Sequence, residues 1–543
     1  MSDSSRLECA IVRVPLDWND ASKGDIPLSI IRLSAKTAPL REGYMFYNPG
    51  GPGGSGTRYL ADDGEELQVR LGEGLDVLRW NPRGVMDSGP NITTFETDEE
   101  YHNYWSQYEG LGKLSAHGNL AQSTDVDFFM SQVSAFDNLT MALNQRMVEK
   151  NGDKLKYIGT CANVRDLVYL VDSAYGQGSD MFPDRVGRVI LDGIYDLEKQ
   201  SNQAPLKWID TDSLAVDQGL LMWAQACVAS PTNCTVATLL PNATADHLLQ
   251  RIDEILDTAH RRYNGFAWAG GQVNESISMN AERFSWEYFV GNIRGALYDS
   301  RTRLVLADGL PRVAALQQNQ TSKAIGINFP GRPTTQYGSV PNILLDAVAI
   351  AIYCSDRVDS AGETTEDLFK AYVTTSQRTS NLAAAGVSQN MRSHCHRFTS
   401  RAVERLPQGM NKKPKDVVLV IGSTGDPITP FQSARRLSSS AFLGSQARLL
   451  QFNAPGHGAH AIKSTCIDDV VRKFVRGTLP NDAGDNHADV VCDADLTLYG
   501  LPPASWRNTT PPTSTEETSN ASITIFGLML PLSALALASI AIF

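Results

Sequence analysis

The stretch Val418-Leu-Val-Ile-Gly-Ser-Thr-Gly-Asp426-Pro-Ile-Thr-Pro430 runs from an apolar segment into a polar turn that contains an aspartate. A second apolar segment, 447–452, is followed by Gly456-His457-Gly458. Apolar runs that end in polar turns are typical of buried parallel strands, whose carboxyl ends form the binding edge of an α/β sheet. The pattern predicts that Asp426 and His457 lie together at that edge, with Asp426 orienting the imidazole and His457 acting as a general base.

An Asp followed by a His on successive strand-end loops is the last part of a Ser…Asp…His order. Earlier in the chain, strand-like and helix-like segments alternate through residues 7–199, and amphipathic helical segments dominate from about 200 to 400. Strand-type sequence then resumes at 417–421. This arrangement predicts an α/β sheet domain that carries a large helical insertion.

A glycine-rich loop at 48–56 follows a predicted strand and contains five glycines in nine residues. It lacks the Gly-Lys-Ser/Thr ending of a phosphate-binding loop. Glycines let backbone N–H groups approach a developing oxyanion without interference from a Cβ, so an oxyanion loop is the favoured interpretation.

Other reactive side chains give weaker signals. His394, His396 and His460 have no nearby carboxylate or cysteine spacing that would favour zinc, so no metal site is predicted. Cys161 lies before a predicted helix rather than at a strand end, and we do not favour it as a nucleophile. The net charge of −12 without a basic stripe argues against nucleic acid as a partner.

Five segments together resemble the tripeptidyl-aminopeptidase-like branch of the α/β-hydrolase fold, which is related to prolyl aminopeptidases; they are 14–18, 48–56, 80–84, 181–193 and 422–430. The resemblance implies a serine exopeptidase that acts on peptides without a cofactor, with a helical lid between two halves of the sheet. It places Gly50 and Gly51 in the oxyanion loop, Asp426 as the triad acid and His457 as the triad base.

The implied domains are a first core part at 1–199, a lid at 200–400, a second core part at 401–500, a Ser/Thr/Pro-rich linker at 501–522 and a hydrophobic tail at 523–543.

The nucleophile that the family requires is missing from this sequence. The expected serine lies in a Gly-X-Ser-X-Gly elbow, and no serine in the chain has glycine two positions before and two positions after it. Candidates fail individually: Ser55, Ser173, Ser179 and Ser423 each lack at least one of these glycines.

Spacing agrees with this absence. The predicted helix ends near Val171, too close to Met181 for the roughly 20–25 residues that a strand and an elbow need. We therefore infer an omitted segment near 179–181, from a deletion or a lost exon. The flanking strands can then close the sheet by pairing directly.

Three readings of function follow. The first is a serine exopeptidase of this family whose present chain lacks its nucleophile. The second is a non-catalytic binding protein that keeps the cleft, and the third is an esterase or lipase of the same fold. Retention of Asp426, His457 and the glycine loop favours the first.

The eight cysteines suit an oxidising compartment. Cys227 and Cys234 are close enough in sequence to close a small loop. Proximity and the resemblance together suggest Cys354 with Cys395 and Cys466 with Cys492, and this leaves Cys9 with Cys161 as a doubtful pair.

Targeting signals disagree with each other. Eight Asn-X-Ser/Thr sequons favour a secreted or cell-surface glycoprotein; they begin at Asn91, Asn138, Asn233, Asn242, Asn274, Asn319, Asn508 and Asn520. The apolar tail 523–543 behind a polar spacer predicts a GPI-anchor signal, with a simple membrane tail anchor as the alternative. Residues 1–8 carry no apolar signal-peptide segment, so we expect either a start further upstream or a tail that acts alone.

Overall fold

A computed structural model describes the molecule at residues 4–36, 43–110, 122–175, 188–234, 244–254, 343–379, 391–406, 413–496 and 539–542. Positions 204, 360–361 and 485–486 are outside this description, and the single residues 120, 237 and 297 are inside it.

The described strands are β1 (Leu7–Pro15), β2 (Asp25–Leu33), β3 (Gly43–Asn48), β4 (Leu75–Trp80), β5 (Val189–Asp192), β6 (Val418–Gly425), β7 (Ala447–Pro455), β8 (Val490–Asp493) and β9 (Ser539–Ile542).

The described helices are α1 (Gly56–Leu71), α2 (Asp98–Gly110), α3 (Ser123–Ser131), α4 (Val133–Asn151), α5 (Thr160–Tyr175), α6 (Leu197–Ser201), α7 (Ile209–Ala229), α8 (Ile343–Ser355), α9 (Thr365–Ser376), α10 (Phe431–Ser438) and α11 (Thr465–Val475). Residues 245–254 are also helical.

The strands form one sheet in the order β1-β2-β4-β3-β9-β5-β6-β7-β8. β3 runs parallel to β4, and β5, β6, β7 and β8 run parallel to one another. The inner strands are largely apolar because both faces of a parallel sheet are covered; all six residues of β4 are buried, including the charged Asp76 and Arg79. This mixed sheet with its parallel strands fits the α/β architecture that the sequence predicted.

The middle of the sheet is occupied by a strand from the far end of the chain. β9 lies between β3 and β5 and is antiparallel to both, with Ile542 opposite Phe46 on one side and opposite Val189 on the other. The direct pairing of the two flanking strands that we expected is therefore wrong. Without β9, the facing edges of β3 and β5 would have unpaired backbone groups. β9 forms hydrogen bonds with both edges.

Part of the predicted membrane tail thus lies in the sheet, since β9 comes from the segment 523–543. The rest of that segment lies outside the described residues. Within the described ranges, no helix has the length and apolar character needed to cross a bilayer.

The two faces of the sheet differ around β9. On one face a single apolar core, which includes Met45 of β3 and Ile190 of β5, continues beneath α1 and α11. On the other face the described buried residues form two separate clusters. One contains Phe46 and packs against α5, and the other contains Val420 and packs against α10.

A helical layer lies apart from the sheet core. α9 packs against α3, α4 and α7, and their shared core contains the aromatic side chains of Phe129, Phe136, Trp223, Phe369 and Tyr372. Helices account for most of the described residues between 200 and 400, in agreement with the sequence. The segment 282–297, one of the amphipathic segments that predict a helix in this region, lies outside the described residues except for Leu297. The layer also includes α3 and α4, which precede residue 200.

A hydrogen-bond network around a buried ion pair joins the segments 14–18 and 80–84, which carry the family resemblance, to α5. The guanidinium of Arg83 donates to both carboxylate oxygens of Asp166, at 2.6 and 2.7 Å, and both side chains are fully buried. Arg83 also donates to the carbonyls of Pro15 and Leu16, while Trp18 donates to Asp166. Arg83 and its neighbours therefore have a structural role that fixes β1 and α5 to the end of β4.

Three disulfides match the pairs suggested from the sequence. Cys227–Cys234 closes the end of α7, Cys354–Cys395 joins α8 to the 3-10 turn at Met391–His394, and Cys466–Cys492 joins α11 to β8. The doubtful fourth pair is not formed, because Cys9 and Cys161 are both free thiols.

Removing the Cys354–Cys395 bridge is expected to lower the free energy of unfolding by about 2–4 kcal/mol, since it closes a loop with a sequence separation of 41. The variant is Cys354→Ala with Cys395→Ala, measured by urea unfolding without reductant. Cys9→Ala, which removes an exposed free thiol, is the matched control and should leave stability unchanged. A bridge variant as stable as this control, or free thiols at 354 and 395 in protein from an oxidising host, contradicts the pairing.

Candidate active site

Two adjacent parallel strands deliver the predicted acid and base to one edge of the sheet. Asp426 directly follows β6, and His457 comes two residues after β7. The strands are paired in parallel up to Gly425 and Pro455. Since the carboxyl ends of parallel strands meet at one edge, the two loops are neighbours, as the sequence predicted.

Asp426 and His457 form a hydrogen-bonded pair. Nδ1 of His457 lies 2.9 Å from Oδ2 and 3.1 Å from Oδ1 of the carboxylate. The carboxylate side chain is fully buried, and the imidazole is 8% exposed. A proton on Nδ1 that is donated to Asp426 leaves Nε2 as the basic nitrogen of the ring.

The Asp426 carboxylate also accepts hydrogen bonds from donors other than His457. It accepts N–H bonds from Ile428 and Thr429, each at 2.8 Å, and from Gly458 at 3.0 Å. The hydroxyl of Thr429 donates to it at 2.6 Å. This set of donors offsets the cost of burying a carboxylate and fixes the orientation of Asp426.

The electrostatics of the pair favour an imidazolium. Burial opposes ionisation of both groups. Nevertheless, the charge of Asp426, its hydrogen bond and the charge of Asp192 raise the pKa of His457 above its ordinary value. The charge of His457 and the hydrogen bonds from His457 and Thr429 lower the pKa of Asp426 below its ordinary value.

The directions of the two pKa shifts determine the pH range over which the Asp426–His457 pair stabilises the folded protein. The contribution of Asp426 is present above the unfolded carboxyl pKa of about 4, and it is lost as pH falls through the lowered folded value. The contribution of His457 is complete below about pH 6.5 and is lost as pH rises through its raised folded value.

A second carboxylate, which the sequence reasoning did not single out, lies beside the pair. Asp192 ends β5 and accepts the N–H of Ala459 at 2.9 and 3.1 Å. Burial raises the pKa of Asp192 to about 6. The sequence signal was present, because Asp192-Gly193 closes an apolar strand in the same manner as Asp426 closes β6.

The glycine-rich loop leads from β3 into α1. Gly50, Gly51 and Gly53 have φ values of 80°, 133° and 93°, which a side chain would strain. The N–H of Gly50 donates to the side chain of Asn48 at 2.9 Å, and the carbonyl of Gly51 accepts the hydroxyl of Tyr353 at 3.1 Å. The oxyanion role of Gly50 and Gly51 stays a prediction.

Tyr353 links this loop to the strand that carries Asp192. Its hydroxyl lies 3.4 Å from that of Tyr195, which comes three residues after Asp192. The contacts therefore run from Gly51 through α8 to the end of β5, on the side of the sheet edge where His457 lies.

The serines considered as nucleophiles have structural partners in the described residues. Ser55 caps α1 and donates to Asn81, Ser173 donates to the carbonyl of Tyr169 within α5, and Ser423 donates to the carbonyl of Ala454. Ser179 lies outside the described residues.

Among the other reactive side chains, His460 lies beside the acid–base pair, with its ring centroid 6.4 Å from that of His457. Cys161 is in the first turn of α5, and burial raises its pKa to about 12, which disfavours the thiolate. Burial lowers the pKa of His394 to about 3 and of His396 to about 4, so both are neutral at pH 7. In the described ranges no three potential ligands are grouped as a metal site.

Replacing Gly193 by alanine is expected to disturb His457. Gly193 has φ of +63°, and an added Cβ would lie 3.1 Å from Cε1 of His457. Gly484→Ala is the matched control, because its φ is +81° but nothing lies within 4 Å of the added atom. We expect both changes to cost about 1–2 kcal/mol from backbone strain, and Gly193→Ala to cost more.

Urea unfolding measures the cost, and NMR of the histidine side chains reports the displacement of His457. Equal losses of stability together with an unchanged His457 signal would contradict the described packing.

Comparison with known proteins points to one group. Residues 380–492, which contain Asp426 and His457, match the family described as "TAP-like protein". "Serine protease Hip1" of Mycobacterium tuberculosis is 29% identical over 220 residues, which is 37% of this chain and only 38% of the length of that protein.

Two further relatives cover very different shares of the chain. "Carboxylesterase B" of Mycobacterium tuberculosis is 24% identical over 520 residues, 88% of this chain and 87% of that protein. "Tripeptidyl aminopeptidase" of Streptomyces lividans is 34% identical over 87 residues, 16% of each chain. With the sheet and the Asp426–His457 pair, these matches relate the chain to the tripeptidyl-aminopeptidase-like serine peptidases of the α/β-hydrolase fold.

Proposed function

We propose that this protein belongs functionally to the serine exopeptidases, which remove N-terminal residues from peptides, and that the present chain lacks the serine of the Ser-His-Asp mechanism. The observation that carries the proposal is the buried, hydrogen-bonded pair of Asp426 and His457 at the carboxyl edge of a parallel sheet, inside the TAP-like match.

Each member of the pair has a proposed step, which the hydrogen-bond geometry supports. His457 holds its Nδ1 proton toward Asp426, so Nε2 is the atom that would accept a proton from a serine hydroxyl during attack on a carbonyl. Asp426 stabilises the resulting imidazolium, and His457 returns the proton to the leaving amine. Backbone N–H groups of the 48–56 loop are the proposed oxyanion donors, with Gly50 and Gly51 as candidates.

Three features support the proposal that the nucleophile strand and elbow are missing. Thirteen residues separate the end of α5 at Tyr175 from the start of β5 at Val189, fewer than a strand, an elbow and the start of a helix need. The sheet position between β3 and β5 is filled from the distant segment 539–542 in the opposite direction. Among the described residues, the apolar cover on one face consists of two separate clusters, on either side of this position.

The helical layer is the proposed lid. α7 crosses the end of β6 closely, since a Cβ on Gly219 would lie 2.9 Å from the carbonyl oxygen of Gly425. Met222 of α7 accepts the hydroxyl of Thr424 at 3.6 Å, and Tyr353 of α8 contacts the glycine loop. Helices on both sides of the catalytic edge would limit the length of peptide that can enter.

We also propose a secreted or cell-surface location. Three disulfides favour an oxidising compartment, and the eight sequons fit a glycoprotein. Anchoring through a GPI group or through the tail 523–543 stays a prediction. It competes with the sheet pairing of 539–542, because those residues cannot occupy the sheet and a bilayer together.

An esterase is the second candidate, favoured by the relative "Carboxylesterase B", which aligns with 88% of the chain. A non-catalytic binding protein is the third. Turnover of aminoacyl against fatty-acyl esters by a nucleophile-containing form separates peptidase from esterase.

This chain is expected to show no stoichiometric labelling by a fluorophosphonate, because no serine in its sequence has the glycines that a Gly-X-Ser-X-Gly elbow requires. Any residual hydrolysis should be orders of magnitude below that of a complete enzyme of the same fold. The measurement is intact-mass analysis of the purified 543-residue chain, with a complete α/β-hydrolase labelled in parallel.

His457→Ala is the matched control that separates specific from background reaction. Labelling of one serine per chain that disappears in this variant would show that a nucleophile is present, and would overturn the proposal that it is missing.

A further inference from the structure

We propose that Asp192 is a second positioning carboxylate for His457, which holds the histidine loop from β5 while Asp426 holds it from β6. The inference rests on the proposed function only for the assignment of His457 as the base.

The backbone after His457 is clamped by both carboxylates. The N–H of Gly458 donates to Asp426 at 3.0 Å, and the next N–H, of Ala459, donates to Asp192 at 2.9 and 3.1 Å. The two acceptors follow the parallel strands β5 and β6, which pair directly. Consecutive amides are thus fixed by consecutive strands of the sheet.

The loop needs such external fixation because its own backbone is permissive. Gly456 and Gly458, on either side of His457, have φ values of 110° and 72°. Glycine restricts φ and ψ least of all residues, so the loop conformation is set by its partners. Arg70 of α1 adds a weaker contact to the carbonyl of Ala459 at 3.4 Å and is itself paired with Asp468 at 2.8 Å.

Space around the imidazole is limited by the same strand end. A Cβ on Gly193 would lie 3.1 Å from Cε1 of His457, and a Cβ on Gly458 would lie 3.3 Å from Oδ2 of Asp192. Asp192 and Gly193 therefore lie close to the imidazole ring of His457. Movement of Asp192 would displace His457 through the hydrogen bond from the Ala459 amide.

The charged groups that face this arrangement come from four elements. Asp426 follows β6, Asp192 ends β5, Arg70 lies on α1, and His460 lies on the histidine loop with its ring centroid 6.4 Å from that of His457. Of these, Asp192 and Asp426 raise the proton affinity of His457. Burial raises the pKa of Asp192 itself to about 6, so it is ionised at neutral pH and neutral under acidic conditions.

The test is the pH titration of His457 in the full chain with ¹⁵N-labelled histidine, followed by NMR. Asp192→Asn removes the charge but keeps an oxygen acceptor for Ala459, and it should lower the proton affinity of His457 roughly three- to tenfold. Asp192→Glu retains the charge and should recover part of this loss. His457→Gln identifies the signal.

Asp356→Asn is the matched control. Asp356 is another buried carboxylate whose pKa burial raises to about 6, but its hydrogen bonds go to Thr160. This change should leave the His457 midpoint unaltered. If Asp192→Asn moves the midpoint no more than Asp356→Asn, the proposed role of Asp192 is wrong.

A measurement on the unaltered chain decides the matter if Asp192→Asn does not fold. The Ala459 amide signal should shift together with the ¹³C signal of the Asp192 carboxyl as that group gains a proton, and an amide that does not respond to this protonation overturns the proposal. Neither readout requires hydrolysis. A chain that proves to be a binding protein would therefore refute the proposed function while leaving the result for Asp192 intact.

Discussion

Every position in the interior of a parallel β-sheet has to hold a strand, because the neighbouring strands have backbone N–H and C=O groups that water cannot reach. The position between β3 and β5 shows this constraint. Among the described residues, no segment close in sequence to β5 supplies a strand for it, and residues 539–542 fill it from a distant part of the chain. A strand supplied in this way completes the backbone hydrogen bonds of the sheet. Its direction determines which loops can reach the edge where Asp426 and His457 lie.

The direction of β9 fits the proposal that an acid and a base are present without a nucleophile. Strands parallel to β5 and β6 end at the catalytic edge and deliver their following loops there, as the Asp426 and His457 loops show. β9 is antiparallel, so its first residue, Ser539, pairs with Asp192 at that edge and its last residue pairs with Val189 at the opposite end. β9 therefore ends at the edge of the sheet opposite to His457.

The Asp426–His457 pair was predictable from sequence because its signal is local: an apolar run, a polar turn and a fixed order along the chain. Cys227–Cys234 followed in the same way from proximity. Asp192 was missed because its importance comes from Ala459, which is 267 positions away in sequence. The pairing of Arg83 with Asp166 and the packing of α3 and α4 against α9 are also non-local. For the tail, hydropathy alone indicated a membrane segment, since an apolar strand for a vacant sheet position has the same composition.

We infer that this chain lacks a strand and an elbow that its gene encodes. Full-length transcripts read across the codons for Ser179 and Met181 would show whether that coding sequence exists. The account predicts a form with about 20 additional codons, which encode an apolar strand followed by Gly-X-Ser-X-Gly. Transcripts that run from Ser179 through Asp180 to Met181 with nothing added, and no alternative form, would contradict it. The acid–base pair would then belong to a binding or non-functional protein.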